Sequence, residues 1–327
     1  MIRRAVIDVG TNSVKLLVAD VDGVAAHPVF EQSHQTRLGQ GFYETHRLQP
    51  AAIARTAEAV AQYAVVARGH GAAHLRVIAT SAARDAQNSA DLAAAIRHAA
   101  SLPLGIISGD QEAAWAFQGV LTNPALANGP LLLLDVGGGS AEFILGCNGQ
   151  SHFRQSFPLG SVRLLEKFPP ADPPAPEELP RCQAWLKDFL GREVGPQLLP
   201  ALRREAAGAA LRLVGTGGSA SVLGTMTAGL TEFDRDRIEA VCLSREQLRD
   251  RVEELWRLPL ERRRQIPGLP ANRADVILMG AAIYEAIMAQ FDLAELRLST
   301  RGLRFGAVLA MEQGPAMPAA TPARPAA

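Results

Sequence analysis

The sequence predicts an α/β protein made of two similar domains that face each other across a cleft. Three observations carry that expectation. Apolar, strand-like runs alternate with helical stretches along the whole chain, the pattern of α/β sheets. Residues 131–146 (LLLLDVGGGSAEFILG) read as a strand buried on both faces, then Asp135, three glycines, Ser140 and a second apolar run. Residues 5–20 (AVIDVGTNSVKLLVAD) repeat that pattern, with Asp8 falling on Asp135, Val9 on Val136, Gly10 on Gly137 and Ser13 on Ser140. Two copies of strand, Asp, Gly turn and strand, each opening one half of the chain, could grip a phosphate chain from both sides.

Taken in order, the first hairpin reaches a turn at Asp22-Gly23, and residues 27–42 read as a basic, Gly-punctuated connector. A helix starts at Pro50, carries Ile53, Ala57, Val60, Ala61, Ala64 and Val65 on one stripe, and ends at Gly69. Residues 74–80 and 104–108 read as strands, with a helix at 89–100 between them, and Gly109 opens the helix carrying Glu112. The Pro-, Gly- and Asn-rich stretch 122–130 is the expected hinge. In the second half, six prolines within 168–180 mark a surface loop, and a helix follows at 178–190. Residues 212–218 are a strand entering a third Gly-rich turn, followed by a helix of small residues. Ser244 and Gln247 stand at capping-box spacing for a helix over 244–256. A long apolar helix (274–290), a strand (297–301) and a last helix (302–311) complete the pattern. The expected domains are 1–123 and 124–301, with 312–327 a disordered Pro/Ala tail.

At 327 residues the chain is long enough for two cores, and 48% hydrophobic against 20% charged residues is a globular balance. A net charge of zero gives no basic field for nucleic acid, so a polyanion must be met by local patches. Cys147, Cys182 and Cys242 form no CxxC pair and read as reduced thiols, and the seven histidines lack ligand spacing. No apolar run approaches the ~20 residues of a membrane span and no signal peptide precedes the first strand, so a cytoplasmic location is expected.

Three Gly-rich turns follow apolar strands, and each is a candidate phosphate cradle. They are Gly10, Thr11, Asn12 and Ser13; then Gly137, Gly138, Gly139 and Ser140; then Gly215, Thr216, Gly217, Gly218 and Ser219. Without Cβ atoms the backbone can take positive φ and bring its N–H groups to a phosphate. Asp135 at the mouth of its turn is placed to hold a divalent metal against the phosphates. The alternative is a structural hairpin whose aspartate caps the turn. Lys15 stands where the second hairpin has Glu142, and it either touches phosphate or extends along the domain surface. No GxGxxG follows the first strand, and no GxxxxGK[ST] loop is present.

The runs DVGTNSVKLLVAD, ATSAARDAQN, ISGDQEA, LLDVGGGSAEFIL, LVGTGGSASVLG, RRQIPGLPANRADVILMGA and STRGLRFGAVL occur in this order across residues 8–309. In that order they resemble the exopolyphosphatase/guanosine pentaphosphatase family of the actin-like ATPase and sugar-kinase superfamily. The resemblance implies two actin-like (ribonuclease H-like) α/β domains, with helix 302–311 returning to the first. It implies that Glu112 is the base that activates water and that Arg84 reaches the phosphates. Asp135 and Glu142 would hold Mg2+, with Asp8 a direct or second-sphere contributor.

The implied activity is hydrolysis of the terminal phosphoanhydride of inorganic polyphosphate, of short to medium length because the helical module of longer relatives is missing. Guanosine pentaphosphate (pppGpp) is the alternative substrate. An ATP-dependent sugar kinase and a non-catalytic phosphate or alarmone sensor are the other readings, the last kept open by Gln111, where relatives often carry a second acid. Neither nucleic acid nor membrane is an expected partner, and a homodimer is compatible with the resemblance. Arg37, Arg203, Arg204, Arg262, Arg263, Arg264 and Arg273 could extend a polyanion track, although most charge runs are solvated faces.

Overall fold

A computed structural model describes residues 1–205 and 211–311; the expected tail, 312–327, lies outside the described residues. Strands β1 (Ile2–Val9), β2 (Val14–Asp22), β3 (Ala25–His34), β4 (His74–Ala79) and β5 (Leu104–Ile106) form one sheet in the order β3-β2-β1-β4-β5. Strands β6 (Pro130–Val136), β7 (Ala141–Cys147), β8 (Gln150–Phe157), β9 (Arg212–Thr216), β10 (Cys242–Ser244) and β11 (Glu295–Leu298) form the second, ordered β10-β11-β9-β6-β7-β8. Apart from the extra edge strand β10, the two orders superpose: an antiparallel meander whose first strand runs parallel to the next.

The sequence repeat is therefore a structural duplication. Asp8 lies directly opposite Lys15, and Asp135 directly opposite Glu142. The turns match as well. Gly10 N donates to Ser13 O at 3.0 Å, and Gly137 N donates to Ser140 O at 2.9 Å.

Residues 27–42 are not wholly a connector, because β3 occupies 25–34. Its polar residues and Pro28 resemble a loop, but as the edge strand it needs a partner on one side only, and a bulge at Val18/Ala19 accommodates the proline. Strand β8 escapes sequence reading for the same reason: its outer face is largely exposed and polar.

Helices α1 (Pro50–Gly69) and α2 (Ser89–Ala100) cover one face of the first sheet, with Val60, Leu92 and Ile96 packing against Ile7, Leu16 and Val77. The next helix, α3 (Gly109–Leu121), carries Glu112. On the second sheet sit α4 (Glu178–Phe189), α5 (Gly217–Thr227), α6 (Arg245–Arg257) and α7 (Ile277–Gln290), which is apolar almost all round and correspondingly buried. The capping box at Ser244 and Gln247 is formed. The last helix, α8 (Leu303–Leu309), is shorter than the expected 302–311.

Packing moves the domain boundary. Although α3 follows the first sheet in sequence, its Ala113, Ala116, Phe117 and Val120 bury against Leu131, Leu133, Ile144 and Val214 of the second. Conversely, α8 follows the second sheet and buries Leu303, Phe305 and Val308 against Val6, Leu17 and Ile78 of the first. Stretch 122–130 is not the hinge, because it is tied to the second unit: Asn123 Nδ2 donates to Glu239 at 3.1 Å and Arg212 Nη1 to Ala125 O at 2.8 Å. The chain instead passes between units just before α3 and again just before α8. At the second of these passages the two helices cross at glycines. A Cβ on Gly306 would run into the Trp115 carbonyl, and one on Gly119 into that of Gly302.

Candidate active site

Between the two sheets lies a cleft of about 660 Å³. The three turns enter it unequally. Ser13 and Lys15 of the first hairpin, Gly137 of the second, and Thr216, Gly217 and Gly218 of the third line it. Other candidate cradle residues do not. Gly10 closes its own turn, Asn12 accepts from Gln35 Nε2 at 3.1 Å, and Thr11 packs on Gly138 and Gly139, joining the two hairpin turns to each other. Ser140 faces a neighbouring cavity, Gly215 packs under Tyr284, and Ser219 packs against Gly280. Nor do residues 137–139 take positive φ; among the cradle glycines only Gly217 does, at 91°. A Cβ there would also lie 2.6 Å from Asp135 Oδ1, so this glycine lets the aspartate sit against the turn.

Glu112 stands in the first turn of α3, which Ser108 caps by accepting from Gln111 N. Glu112 is 7% exposed, and its carboxylate accepts from Arg84 Nη1 at 2.9 Å. The same Arg84 nitrogen donates to Ile107 O at 3.1 Å, which fixes the guanidinium behind Glu112, where it lines a neighbouring cavity and not the cleft itself. Burial pushes the Glu112 carboxyl up to about 7, against the pull of Arg84 and with the help of the neighbouring carboxylates Asp135 and Asp8. A carboxylate whose proton affinity is matched to neutral pH, beside a fixed guanidinium, is equipped to take a proton from water next to an anion.

Asp8 and Asp135 also line the cleft, and each is raised by burial, Asp135 to about 6, despite the opposing charge of Lys15. Lys15 is lowered, again chiefly by burial. It lines the cleft and does not extend along the domain surface. Glu142 lies behind the cleft, raised by burial and by Glu112 and Asp135, and accepts from Ser156 Oγ at 2.7 Å. A carboxyl raised in the native state stabilises the fold fully below its unfolded pKa, and that contribution is lost as pH climbs through the native value. The unliganded protein is therefore expected to melt at lower temperature as pH rises from about 5 to about 7.5. A Tm that increases across this window would contradict a buried, protonated cluster.

Asp8 Oδ1 is buried without a hydrogen-bond partner, a vacancy in its bonding that a cation or a donor would fill. Among the described residues no three His, Cys, Asp or Glu side chains converge as a metal cage. The donor set suits a hard cation held by one or two carboxylates, with water and phosphate oxygens completing its shell, which is how magnesium binds.

Two arginines complete the site. Arg273, one of seven track candidates, reaches across from the second unit: Nη2 donates to Ser13 Oγ at 2.9 Å and its guanidinium lies on Gly218. Arg304 escaped sequence reading, although it lies in the STRGLRFGAVL run. From α8 it donates to Leu16 O at 2.8 Å, pairs with Glu31 at 3.1 Å and faces Asp8 and Lys15. The remaining track candidates lie elsewhere. Arg37 pairs with Asp275, Arg263 is buried against the Leu255 and Leu258 carbonyls, and Arg203, Arg204, Arg262 and Arg264 are exposed or only partly buried outside the cleft lining.

Duplicated α/β units closing on glycine turns, with carboxylates and arginines on the cleft floor, define a phosphoryl-chemistry enzyme of the actin-like fold. The profile of the Ppx/GppA phosphatase family matches residues 17–314, and the chain belongs to that family. Exopolyphosphatase 2 of Mycobacterium tuberculosis is 33% identical over 297 residues, covering 87% of this chain and 89% of the relative. The crystal structure of an exopolyphosphatase-like protein superposes with a TM-score of 0.82 at 29% identity, over 94% of this chain and 97% of the other. The type II variant of the Aquifex aeolicus Ppx/GppA phosphatase superposes at 0.71 with 26% identity, over 95% of this chain and 99% of that one. The three cysteines are free thiols, and among the described residues no helix is long and apolar enough to cross a membrane.

Proposed function

We propose that the chain is an exopolyphosphatase, hydrolysing the terminal phosphoanhydride of short to medium inorganic polyphosphate to orthophosphate. The observation that carries this reading is Glu112, buried, raised toward neutrality and bonded to Arg84, at the floor of a cleft lined by three glycine turns. Relatives named exopolyphosphatase support it. In the proposed reaction Glu112 takes a proton from a water molecule whose oxygen attacks the terminal phosphorus. The new P–O bond forms as the bridging P–O bond breaks, and the electron pair leaves on the shortened chain. Arg84, Arg273 and the backbone N–H groups of the turns hold the phosphate oxygens in line. Magnesium on Asp8 and Asp135, with Glu142 behind, would neutralise charge on the phosphates. Arg84→Ala is expected to lower kcat/KM by about 10² or more, with a raised KM, because the lost guanidinium serves both binding and transition state.

A second reading has its own observation. One end of the cleft is lined by Val222, Leu230, Phe233, Leu269 and Pro270, an apolar lobe that a nucleobase could occupy. It favours pppGpp, losing its terminal phosphate by the same chemistry. Orthophosphate release from polyphosphate, pppGpp and ATP, each with and without magnesium, separates the readings. Preference for polyphosphate supports the first and preference for pppGpp the second. Tight binding of either without release would support a sensor, and transfer from ATP to a sugar a kinase.

A further inference from the structure

A second cavity, of about 390 Å³, lies on the other side of the Arg84–Glu112 pair. The wall between the two spaces is thin. Thr80 lines the cleft and Ser81 the second cavity; Gly137 lines the cleft and Ser140 the cavity; Glu112 lines the cleft and Gly109, one helical turn earlier, the cavity. We propose that this cavity is an orthophosphate port, through which the phosphate cut from the chain leaves while the shortened chain stays in the cleft. The proposal rests on the reading of the cleft as a phosphoanhydride hydrolase.

The lining suits a small oxyanion. Ser81 is 3% exposed, and its hydroxyl has no hydrogen-bond partner. A buried hydroxyl left unpaired is costly unless a ligand completes it. Three guanidiniums, those of Arg84, Arg154 and Arg163, border the space, and α3 points its N-terminal end at it. They are not free cations. Arg163 pairs with Asp85 at 3.1 Å and gives Nε to Gly139 O, Arg154 holds Asp110 at 3.0 and 3.2 Å, and Arg84 holds Glu112.

That balance decides what the cavity holds. Three arginines against three carboxylates leave no net field to retain a long polyanion. Orthophosphate is small, both donates and accepts hydrogen bonds, and can exchange for a carboxylate on an arginine fork without being trapped.

Topology supplies the reason for a second opening. With the terminal phosphorus at Glu112, the remaining chain fills the cleft outward from the reacting end. The released phosphate is then enclosed between the new chain end and the cleft floor. Passage beside Arg84 gives it a way out that does not require the chain to dissociate, and successive cleavages on one chain become possible.

The test uses the full chain with Ser81→Ala, which removes the hydroxyl at nearly constant volume, and Gln155→Trp, which fills the cavity from its exposed rim. Orthophosphate binding is read by titration calorimetry, and product-length distributions are read during polyphosphate hydrolysis. Ser81→Ala should weaken orthophosphate binding about tenfold, the loss of one hydrogen bond to a charged group, with KM for polyphosphate unchanged. Gln155→Trp should lower kcat and replace complete degradation of individual chains by a ladder of intermediates. If orthophosphate is purely competitive with polyphosphate and neither variant changes affinity, kcat or product pattern, the port does not exist. Weakened tripolyphosphate binding with unchanged orthophosphate binding in Ser81→Ala would make the cavity a chain site and overturn the proposal. The calorimetric arm does not depend on turnover. Ser81-dependent orthophosphate binding without hydrolysis would sink the hydrolase reading and the exit role with it, whereas hydrolysis with Ser81-independent binding would sink the port alone.

Discussion

Glu112→Gln is expected to lower kcat by about two to four orders of magnitude while polyphosphate binding persists, the scale of losing a general base. The amide keeps the size and the hydrogen-bonding reach of the carboxylate but cannot accept the water proton at neutral pH. Because Glu112 is also the counter-charge of Arg84, its neutralisation frees that guanidinium for phosphate, so KM should stay level or fall. The wild-type kcat/KM should decline on the acid side with a midpoint near neutrality, since burial holds this carboxyl at about 7. Protonation inactivates a base, so the loss runs toward low pH, and this limb should vanish from the residual activity of the variant. A variant that retains wild-type turnover would refute Glu112 as the base, whatever the substrate.

The second large effect is structural. Gly306→Ala places a methyl group inside the Trp115 main chain where α8 crosses α3, and a backbone neighbour cannot rotate away as a side chain can. About 3 kcal/mol of destabilisation is expected, at the upper end of ordinary overpacking, with Gly306→Val worse. The measurement is the denaturant midpoint. Gly69→Ala is the control: an added Cβ there meets nothing within 4 Å, so helix propensity makes it neutral or mildly stabilising. Equal effects at the two positions would show that the crossing tolerates expansion. The second chain passage between the units, just before α8, lies at this crossing, so a surviving Gly306→Ala protein should also show altered kcat.

The repeat was legible in the sequence because it is a local signal. A strand, an aspartate at its end, a glycine turn and a second strand are contiguous, and both copies keep the register that sets Asp8 opposite Lys15 and Asp135 opposite Glu142. The same locality made α1, α2 and the capped α6 readable, since periodicity and end signals lie within each element. Strands β3 and β8 were not readable, because an exposed edge strand lacks the apolar alternation that marks a strand in sequence.

The α/β class, the duplicated hairpins and most residue types that meet at the cleft floor are written in short contiguous runs. Which residues share the cleft is set by long-range packing. Arg273 meets Ser13 from 260 positions away, and Arg304 reaches Asp8 and Lys15 from the last described helix. Thr11 and Gly138, both in glycine turns, were spent on joining the hairpins to each other. The return of α8 to the first sheet was implied only by the family resemblance, and the packing of α3 on the second sheet was not legible at all, because an apolar helical face states that it must be buried but not against which sheet. Burial, which raises Glu112 toward neutrality, is a property of all the elements packed around it and of no single stretch of chain.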